Sequence, residues 1–186
     1  MSKRVNIVSV FGSSQVEPGS FAYEEARIVG ALLAKAGLAV CNGGYGGVME
    51  AVSRGAKEAG GLVIGVTTSW FAHLTANEWL DQEIRTTTFL ERLRTIIEMG
   101  HGYIALKGGI GTLTEVSTVW SMMQTRSIPP RPFILLSDPW NSLLHFCAEA
   151  LIIRPPDLEY VQLARTPDEA VQALVQSLHA LHGQNG

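Results

Sequence analysis

The sequence predicts an α/β protein, a three-layer sandwich in which a mostly parallel sheet carries helices on both faces. Short apolar runs rich in β-branched residues alternate along the chain with segments whose apolar residues recur at helical spacing. The short runs are apolar throughout, as in strands that are buried on both faces. Such alternation is typical of parallel strands joined by helical crossovers.

The predicted elements follow one another in that alternating order. Strands are expected at residues 5–11, 38–41, 62–66, 83–88, 103–106, 133–136 and 160–163. The first helix lies between a Ser20 cap and Gly37, and further helices are expected at 48–59, 89–99, 111–126 and 138–151. Residues 154–156, Arg-Pro-Pro, are expected to form a rigid connector. The last helix opens at Thr166, followed by a first-turn proline and the capping-box acid Glu169.

Length, composition and charge narrow the function classes. With 186 residues, the chain is expected to form a single nucleotide-binding domain, residues 1–186, with a sizeable core. A formal net charge of −3 gives no electrostatic reason to expect a nucleic-acid partner. Two cysteines are too few for a disulfide framework and indicate a reducing compartment, and the apolar run around Cys41 favours a buried, inert thiol. Without a signal peptide or a membrane-spanning run, no membrane partner and a cytoplasmic location are expected.

Three turns rich in glycine or serine follow predicted strands, at residues 12–14, 43–47 and 108–112. Ligands of parallel sheets bind beyond the carboxyl ends of the strands, so these turns are expected to enclose one nucleotide-sized pocket. A purely structural role is not favoured, because three glycine turns at one edge destabilise the fold without adding packing. The candidate substrate- and phosphate-binding residues are Gly12, Ser13, Gly43, Gly44, Met49, Lys107, Gly108, Gly109, Gly111 and Thr112.

The third turn carries the clearest chemical signal. The apolar run 103–106 ends at Lys107, and three glycines in four positions then lead into a helical pattern. A strand that ends in a tight turn before a helix presents free backbone N–H groups and the positive end of the helix dipole to an anion. Thr112 adds a hydroxyl. Glu115, one turn into the helix, either complements the helix N-terminus or has a second role at the site, and both interpretations stay open.

The segment 67–81 is a long excursion after a strand, with Trp70, Phe71 and Trp79 among polar residues and no clean period. Excursions of this kind are typical of lids and binding loops. Ordinary packing of the loop onto the body of the protein would also account for at least one of the tryptophans.

The common cofactor signatures are absent from the sequence. A dinucleotide fingerprint would need glycine or alanine where Met49 and Thr114 stand, and Lys107 precedes its glycines, unlike the lysine of a Walker A loop. The five histidines have no zinc-ligand spacing, and there is no G-x-S-x-G elbow. The expectation is therefore a protein that binds a phosphate-bearing small molecule, with no metal and no cofactor.

Two of the glycine runs together resemble a known family. Residues 43–52, GGYGGVMEAV, are similar to its first glycine motif, and residues 108–115, GGIGTLTE, resemble its P-G-G-x-G-T-x-x-E motif. Glu91 and Arg92 lie where the family carries E-R-K, and the turn at residues 12–14 is similar too. The family is the LOG (Lonely Guy) type of nucleoside 5′-monophosphate phosphoribohydrolases, whose plant members release free cytokinins and which often carry an old "lysine decarboxylase" label. The resemblance covers about residues 5–151.

The resemblance implies a Rossmann-like fold, usually as a homodimer, and hydrolysis of the N-glycosidic bond of a nucleotide of the AMP or cytokinin riboside monophosphate type. The products would be a free base and ribose 5-phosphate. It further implies that the loop 108–112 holds the 5′-phosphate and that Arg92 and Glu115 are catalytic. A homodimer also fits the predicted helix 111–126, because its apolar residues lie on more than one face, although a fully internal helix would give the same pattern. Those apolar residues are Val116, Val119, Trp120, Met122 and Met123.

Three positions depart from the family pattern: Lys107 replaces a proline, Leu93 a lysine, and Thr114 a glutamate. The cation lost at Leu93 and the cation gained at Lys107 offset each other if both positions reach the phosphate. If they do not, the two changes indicate a branch of the family that binds another ligand. The alternative function is therefore a nucleotide- or cofactor-binding carrier without chemistry, similar to the molybdenum-cofactor carrier found on this fold. A pyridoxal-phosphate decarboxylase is not favoured, because Lys107 is more simply a phosphate ligand.

Overall fold

The computed structural model describes residues 5–183, and its strands form one seven-stranded sheet. The order of the strands is β4-β3-β2-β1-β5-β6-β7, and every neighbouring pair is parallel. The predicted α/β, Rossmann-like fold class is confirmed, and the sheet is parallel throughout rather than mostly so. The strands are β1 (Ile7–Phe11), β2 (Ala39–Asn42), β3 (Val63–Thr68), β4 (Gln82–Thr86), β5 (Gly102–Ala105), β6 (Phe133–Leu136) and β7 (Gln162–Ala164).

Helices cover both faces of this sheet. One face carries α1 (Phe21–Lys35), α2 (Val48–Glu58) and α7 (Pro167–Gly183), and the other carries α3 (Phe89–Met99), α4 (Ile110–Gln124) and α5 (Asp138–Ala150). A short helix, α6 (Pro155–Leu158), precedes β7. Within residues 5–183, none of the helices combines the length and hydropathy required to cross a lipid bilayer.

The core lies in two layers, one on each face of the sheet. Successive residues of a strand point to opposite faces, so Val8 and Val10 of β1 join one layer while Phe11 joins the other. The ring of Phe11 stacks on Tyr103 of β5 with the ring centroids 6.1 Å apart, and Phe133 of β6 packs edge-on against Tyr103. The central strands are therefore apolar on both faces, which explains the continuous apolar runs in the sequence.

The predicted helix ends are largely confirmed by their capping residues. The Ser20 hydroxyl accepts a hydrogen bond from the Tyr23 backbone N–H at the start of α1, and Gly37 beyond its end has a φ of +75°. Thr88 caps α3 in the same way by accepting from the Glu91 N–H at 3.1 Å. At α7, the Thr166 hydroxyl accepts from the Glu169 N–H, while the Glu169 carboxylate accepts from the N–H of Arg165.

Two local predictions were wrong. In place of the rigid connector expected at residues 154–156, Arg154 is the N-cap residue of α6 and the two prolines form its start, because prolines fit a first helical turn, where no N–H donor is required. The Arg154 guanidinium pairs with the Asp157 carboxylate through two hydrogen bonds of 2.8 and 2.9 Å, which fixes that turn. The last strand accordingly begins two residues later than expected, at Gln162.

Helix α4 already buries much of its apolar surface within one chain. Val116, Val119 and Met123 are at most 2% exposed, and the Trp120 indole N–H donates to the Asp157 carbonyl at 2.5 Å. The spread of apolar residues around α4 is therefore explained by internal packing without a second copy. The homodimer remains a prediction.

The strand order creates a crevice next to β1. From β1 the chain adds strands on one side as far as β4 and then crosses over to place β5 on the other side of β1. At such a switch point the loops after neighbouring strands diverge and leave room for a ligand at the carboxyl ends. The turns after β1, β2 and β5 all lie at this edge.

Candidate active site

The three glycine-rich turns meet around Ser13. Its backbone N–H donates to the Lys107 carbonyl after β5 at 3.3 Å, and its own carbonyl accepts from the Val48 N–H at the start of α2 at 2.8 Å. Gly47, the residue before α2, has a φ of +70°, and a Cβ there would collide with the backbone of Ser13 and Ser14. The first turn therefore lies between the other two and contacts both.

The turns after β1 and β5 border a cavity of about 280 Å³, whereas no residue of the 43–47 turn lines it. The structure brings together eight of the predicted site residues in its wall: Gly12, Ser13, Met49, Arg92, Gly109, Gly111, Thr112 and Glu115. Gly12 belongs here because any side chain at this position would overlap Val48 of α2. The N-terminus of α4 and the side chains of α3 thus face each other across one space.

The turn at residues 108–112, called the phosphate loop after its predicted ligand, has the geometry of an anion site. Helix α4 begins at Ile110 after its N-cap residue Gly109, which has no side chain to cap the helix. The first N–H groups of the helix are therefore free to bind a ligand and carry the positive end of its dipole. Thr112 is buried in the loop, where its side chain leaves no room for a Cβ at Gly108.

Arg92 is held rigidly in the cavity wall. It is 7% exposed; its Nε donates to the Val66 carbonyl at 2.8 Å and its Nη2 to the Gly43 carbonyl at 3.0 Å. Its guanidinium also lies over the rings of Tyr45 and Phe71, 5.4 and 5.9 Å from their centroids. Burial lowers the pKa of Arg92, and the nearby Glu115 carboxylate opposes that shift.

Glu115 is the carboxylate of the cavity. Burial raises its pKa to about 7, and the positive charge of Arg92 limits the rise. Among residues 5–183, Glu115 has no ion-pair partner within 4.0 Å, Arg92 included. Glu115 does not cap the helix N-terminus either, since α4 has no capping hydrogen bond from a side chain. Glu115 therefore lines the cavity without a capping hydrogen bond to the helix N-terminus.

Four predicted residues do not line the cavity. Gly43 and Gly44 lie behind it: Gly43 accepts the hydrogen bond from Arg92, and the Gly44 N–H donates to the Asn42 side chain at 2.8 Å. Gly108 supports Thr112. The exposed Lys107 lines a separate space of about 250 Å³ with Leu113, Pro139, Trp140 and Leu143.

The position of Lys107 bears on the two departures from the family motifs. Leu93 lines the main cavity and is 7% exposed, whereas Lys107 lies on the other side of Gly109 and Ile110, which border both spaces. The two residues therefore do not occupy equivalent positions around one phosphate. Arg92 is the one basic side chain among the described residues that line the main cavity.

The candidate site residues from the sequence did not include five residues of the cavity wall: Ser14, Gln15, Phe71, Phe89 and Ile110. Of these, Ser14 lies in the predicted 12–14 turn and Phe71 in the excursion 67–81. Phe71 follows from the excursion after β3, where Ser69–Phe71 form a single 3-10 turn capped by Thr68. Its ring packs edge-on against both Tyr45 and Phe89. Of the aromatic residues in that excursion, Trp70 is 70% exposed, and Trp79 lies under the Arg54 guanidinium.

Neither cysteine nor a cluster of metal ligands contributes to the site. Cys41 is buried in β2, as expected, and burial raises the pKa of its thiol to about 12, which fits the expected inert role. Within the part of the chain that the structure describes, no three His, Cys, Asp or Glu side chains lie close enough together to hold a metal ion.

The model of the SLOG cluster4 family matches residues 5–128, a range that includes all three turns, Arg92 and Glu115. The chain belongs to the SLOG cluster4 family. Proteins with names of the LOG type are also similar to this chain in sequence. The cytokinin riboside 5′-monophosphate phosphoribohydrolase of Mycobacterium marinum is 34% identical over 124 residues, and the match covers 63% of each protein. The chain thus spans less than two thirds of the length of that relative.

Solved structures with the same fold include proteins of another function. The molybdenum cofactor binding protein of Rippkaea orientalis is 29% identical to this SLOG cluster4 chain, with a TM-score of 0.77 over 96% of this chain and 99% of that one. The molybdenum cofactor carrier protein of Chlamydomonas reinhardtii is 25% identical, with a TM-score of 0.73 over 95% and 99% of the two chains. The proteins that this chain resembles thus carry two kinds of named function.

Proposed function

We propose that this protein hydrolyses the N-glycosidic bond of a nucleoside 5′-monophosphate, of the AMP or cytokinin riboside monophosphate type, and releases a free base and ribose 5-phosphate. The observation that carries the proposal is the arrangement of Arg92, Glu115 and the N-terminus of α4 around one cavity. A phosphate needs only the helix terminus and its loop. Cleavage of the bond additionally requires charged groups next to the ribose and the base, and the Glu115 carboxylate and the Arg92 guanidinium supply them.

In the proposed complex the 5′-phosphate binds to the loop of Gly109, Gly111 and Thr112, and the ribose faces Glu115. Cleavage of an N-glycoside builds positive charge at the anomeric carbon. The ionised Glu115 carboxylate stabilises that charge or orients the attacking water. A pKa of about 7 leaves a mixture of both protonation states at neutral pH, so the same group is able to accept a proton from water.

Arg92 supplies the positive charge on the opposite wall. Its Nε and Nη2 are bound to backbone carbonyls, and it donates no hydrogen bond through Nη1 to residues 5–183. In the proposal Nη1 contacts the phosphate or the departing base. Phe71 and Phe89 provide an apolar surface next to it, on which the planar base packs.

A non-catalytic carrier of a nucleotide or phosphorylated cofactor is the second candidate. It is favoured by the likeness to the cofactor-binding protein of Rippkaea orientalis over nearly the full length of both chains. The replacement of the family lysine by Leu93 also removes a cation from the cavity wall. This candidate needs the same phosphate loop but gives no role to the raised pKa of Glu115.

A panel of nucleoside monophosphates distinguishes the two candidates. Each nucleotide is incubated with the purified protein and scored for binding, for free base and for ribose 5-phosphate. Equal amounts of base and ribose 5-phosphate from at least one nucleotide support the hydrolase. Nucleotides that bind and are recovered intact support the carrier.

A further inference from the structure

The Arg92 guanidinium rests in an aromatic seat, defined here as Tyr45 and Phe71. The Tyr45 ring is 5.4 Å from the guanidinium and 6.1 Å from the Phe71 ring, which packs edge-on against it. Two backbone carbonyls, those of Val66 and Gly43, fix the same guanidinium. These four contacts fix the buried guanidinium in a single orientation.

Tyr45 is itself anchored at both ends. Its hydroxyl accepts a hydrogen bond from the Thr68 N–H at 2.9 Å and donates to the Thr68 carbonyl at 3.1 Å. Its backbone carbonyl accepts from the Asn77 side chain at 2.9 Å, while the Asn77 N–H donates to the Gly44 carbonyl. The residue is 4% exposed. The excursion after β3 thus holds Tyr45 in place from two sides, which gives this segment a role beyond covering the cavity.

The aromatic seat opposes the electrostatic attraction between the Arg92 guanidinium and the Glu115 carboxylate. Arg92 and Glu115 are close enough to alter each other's ionisation, yet they are farther apart than the 4.0 Å limit of an ion pair. In a partly buried space, a free guanidinium and a free carboxylate attract each other strongly. If they formed an ion pair, both would lose the orientation in which they face a ligand.

We propose that Tyr45, with Phe71 packed against it, is a positioning residue that keeps the Arg92 guanidinium in the cavity wall and out of an ion pair with Glu115. Both charges then stay available to a bound ligand. Its effect on turnover rests on the proposed hydrolase function. Its effect on the unliganded protein does not.

The direct test is a titration of the Glu115 carboxyl by ¹³C NMR in the unliganded protein. Arg92 is the charged group that acts on the Glu115 pKa, so its movement is visible there. Tyr45→Leu removes the ring and the anchor, and Phe71→Leu removes only the second ring. Both are expected to lower the pKa of Glu115 from its value of about 7, because the freed guanidinium moves onto the carboxylate. We expect a fall of at least about one unit for Tyr45→Leu and a smaller one for Phe71→Leu.

Water entering a loosened site would also lower this pKa, so the same substitution is made in an Arg92→Met background. If Tyr45 acts through Arg92, the double variant has the Glu115 pKa of Arg92→Met alone, which should lie above that of the wild type. Tyr45→Phe keeps the ring and is expected to retain most of the wild-type pKa. Trp70→Leu, a neighbouring and exposed position, is the matched control and should change nothing.

The proposal is overturned if the pKa of Glu115 is unchanged in folded Tyr45→Leu and Phe71→Leu, or if it falls equally in the Arg92→Met background. Thermal unfolding verifies that each variant is folded. If Tyr45→Leu does not fold, the test is made with Phe71→Leu alone. In an active protein, Tyr45→Leu should also reduce kcat by about tenfold to a hundredfold with little change in nucleotide affinity, the effect of a misplaced catalytic group. A wild type that cleaves no nucleotide but shows the expected pKa shifts would refute the hydrolase and leave the seat in place.

Discussion

At the scale of single residues, the cavity contains a positive and a negative side chain, Arg92 and Glu115, that are less exposed to water than ordinary surface charges. Arg92 is buried and bound to backbone carbonyls, and Glu115 has a pKa of about 7. Perturbed groups of this kind are common in functional sites, because a desolvated charge is tolerated only where it has a use. Glu115 gives two predictions that can be measured.

Glu115→Gln preserves the size of the side chain and removes its charge. Turnover of a cleaved nucleotide should fall by roughly a hundredfold or more, the scale of one lost electrostatic contact in the transition state. Nucleotide affinity should change little, because the phosphate loop is intact. Steady-state kinetics with a parallel binding titration measure both; similar kcat values for the two proteins would remove Glu115 from the mechanism.

The same substitution should alter stability in a pH-dependent way. The pKa of Glu115 in the folded protein, about 7, lies above its ordinary value in the unfolded chain. The folded protein therefore holds the Glu115 proton more tightly, which stabilises it at low pH. This stabilisation is lost as the pH rises through the folded pKa. At pH 8.5, Glu115→Gln should therefore unfold with a higher free energy than the wild type, by at most about 3 kcal/mol. At pH 4 the two proteins should be nearly equal. Denaturant unfolding at both pH values measures this, and an equal difference at the two pH values would contradict the raised pKa of this half-buried carboxylate.

At the scale of elements, strand ends and helix starts determine what the site can bind. The turn before α4 lacks a capping side chain, so its N–H groups are available to an anion. The turn after β1 holds the other two turns together through Ser13. The chemistry of the cavity therefore depends on backbone groups as much as on side chains.

We predict a phosphate or sulfate ion at the 108–112 turn when the protein is crystallised in the presence of either anion. Thr112→Val, which removes the hydroxyl and keeps the shape, should weaken the binding of inorganic phosphate by about tenfold or more, the value of one hydrogen bond to a charged group. Lys107→Met is the matched comparison. Because Lys107 lines the neighbouring space, its loss should weaken phosphate binding less than Thr112→Val does. The opposite order would mean that Lys107, not Thr112, contacts the phosphate.

The sequence was sufficient for most elements and for part of the site, for identifiable reasons. Strands with apolar residues on both faces and helices with clear caps, such as Ser20 and Thr88, depend on local signals. The seat of Arg92 could not be predicted, since Tyr45 and Phe71 are brought to it by separate strands and their aromatic side chains also fit ordinary packing. The environment of Lys107 was equally hidden, because one residue after a strand can face either side of the following turn.

At the scale of the whole molecule, the parallel sheet gives the site its location and its neighbours. The switch between β1 and β5 opens the crevice, and helices α2, α3 and α4 supply its walls. The same sheet supports relatives named as hydrolases and proteins named as cofactor carriers. The fold therefore decides where a ligand binds, and the residues in the walls decide what happens to it.

A homodimer remains our prediction for this molecule. Internal packing accounts for α4, but apolar side chains at the end of α5 are exposed, including Phe146, Leu151 and Ile152. A surface of this kind is typical of a protein–protein contact. Light scattering at micromolar concentration should give twice the mass of the 20.1 kDa chain, and Phe146→Glu should reduce it to the mass of one chain. A wild-type monomer under these conditions would end the prediction.

The central claim is that Arg92, Glu115 and the phosphate loop form a hydrolytic site. It is tested most directly by identifying the products formed from one bound nucleoside monophosphate with wild-type protein and with Glu115→Gln. We predict equal amounts of free base and ribose 5-phosphate from the wild type and a rate at least about a hundredfold lower from Glu115→Gln, at similar nucleotide occupancy. Recovery of the intact nucleotide from the wild-type complex, or equal rates for the two proteins, would contradict the claim.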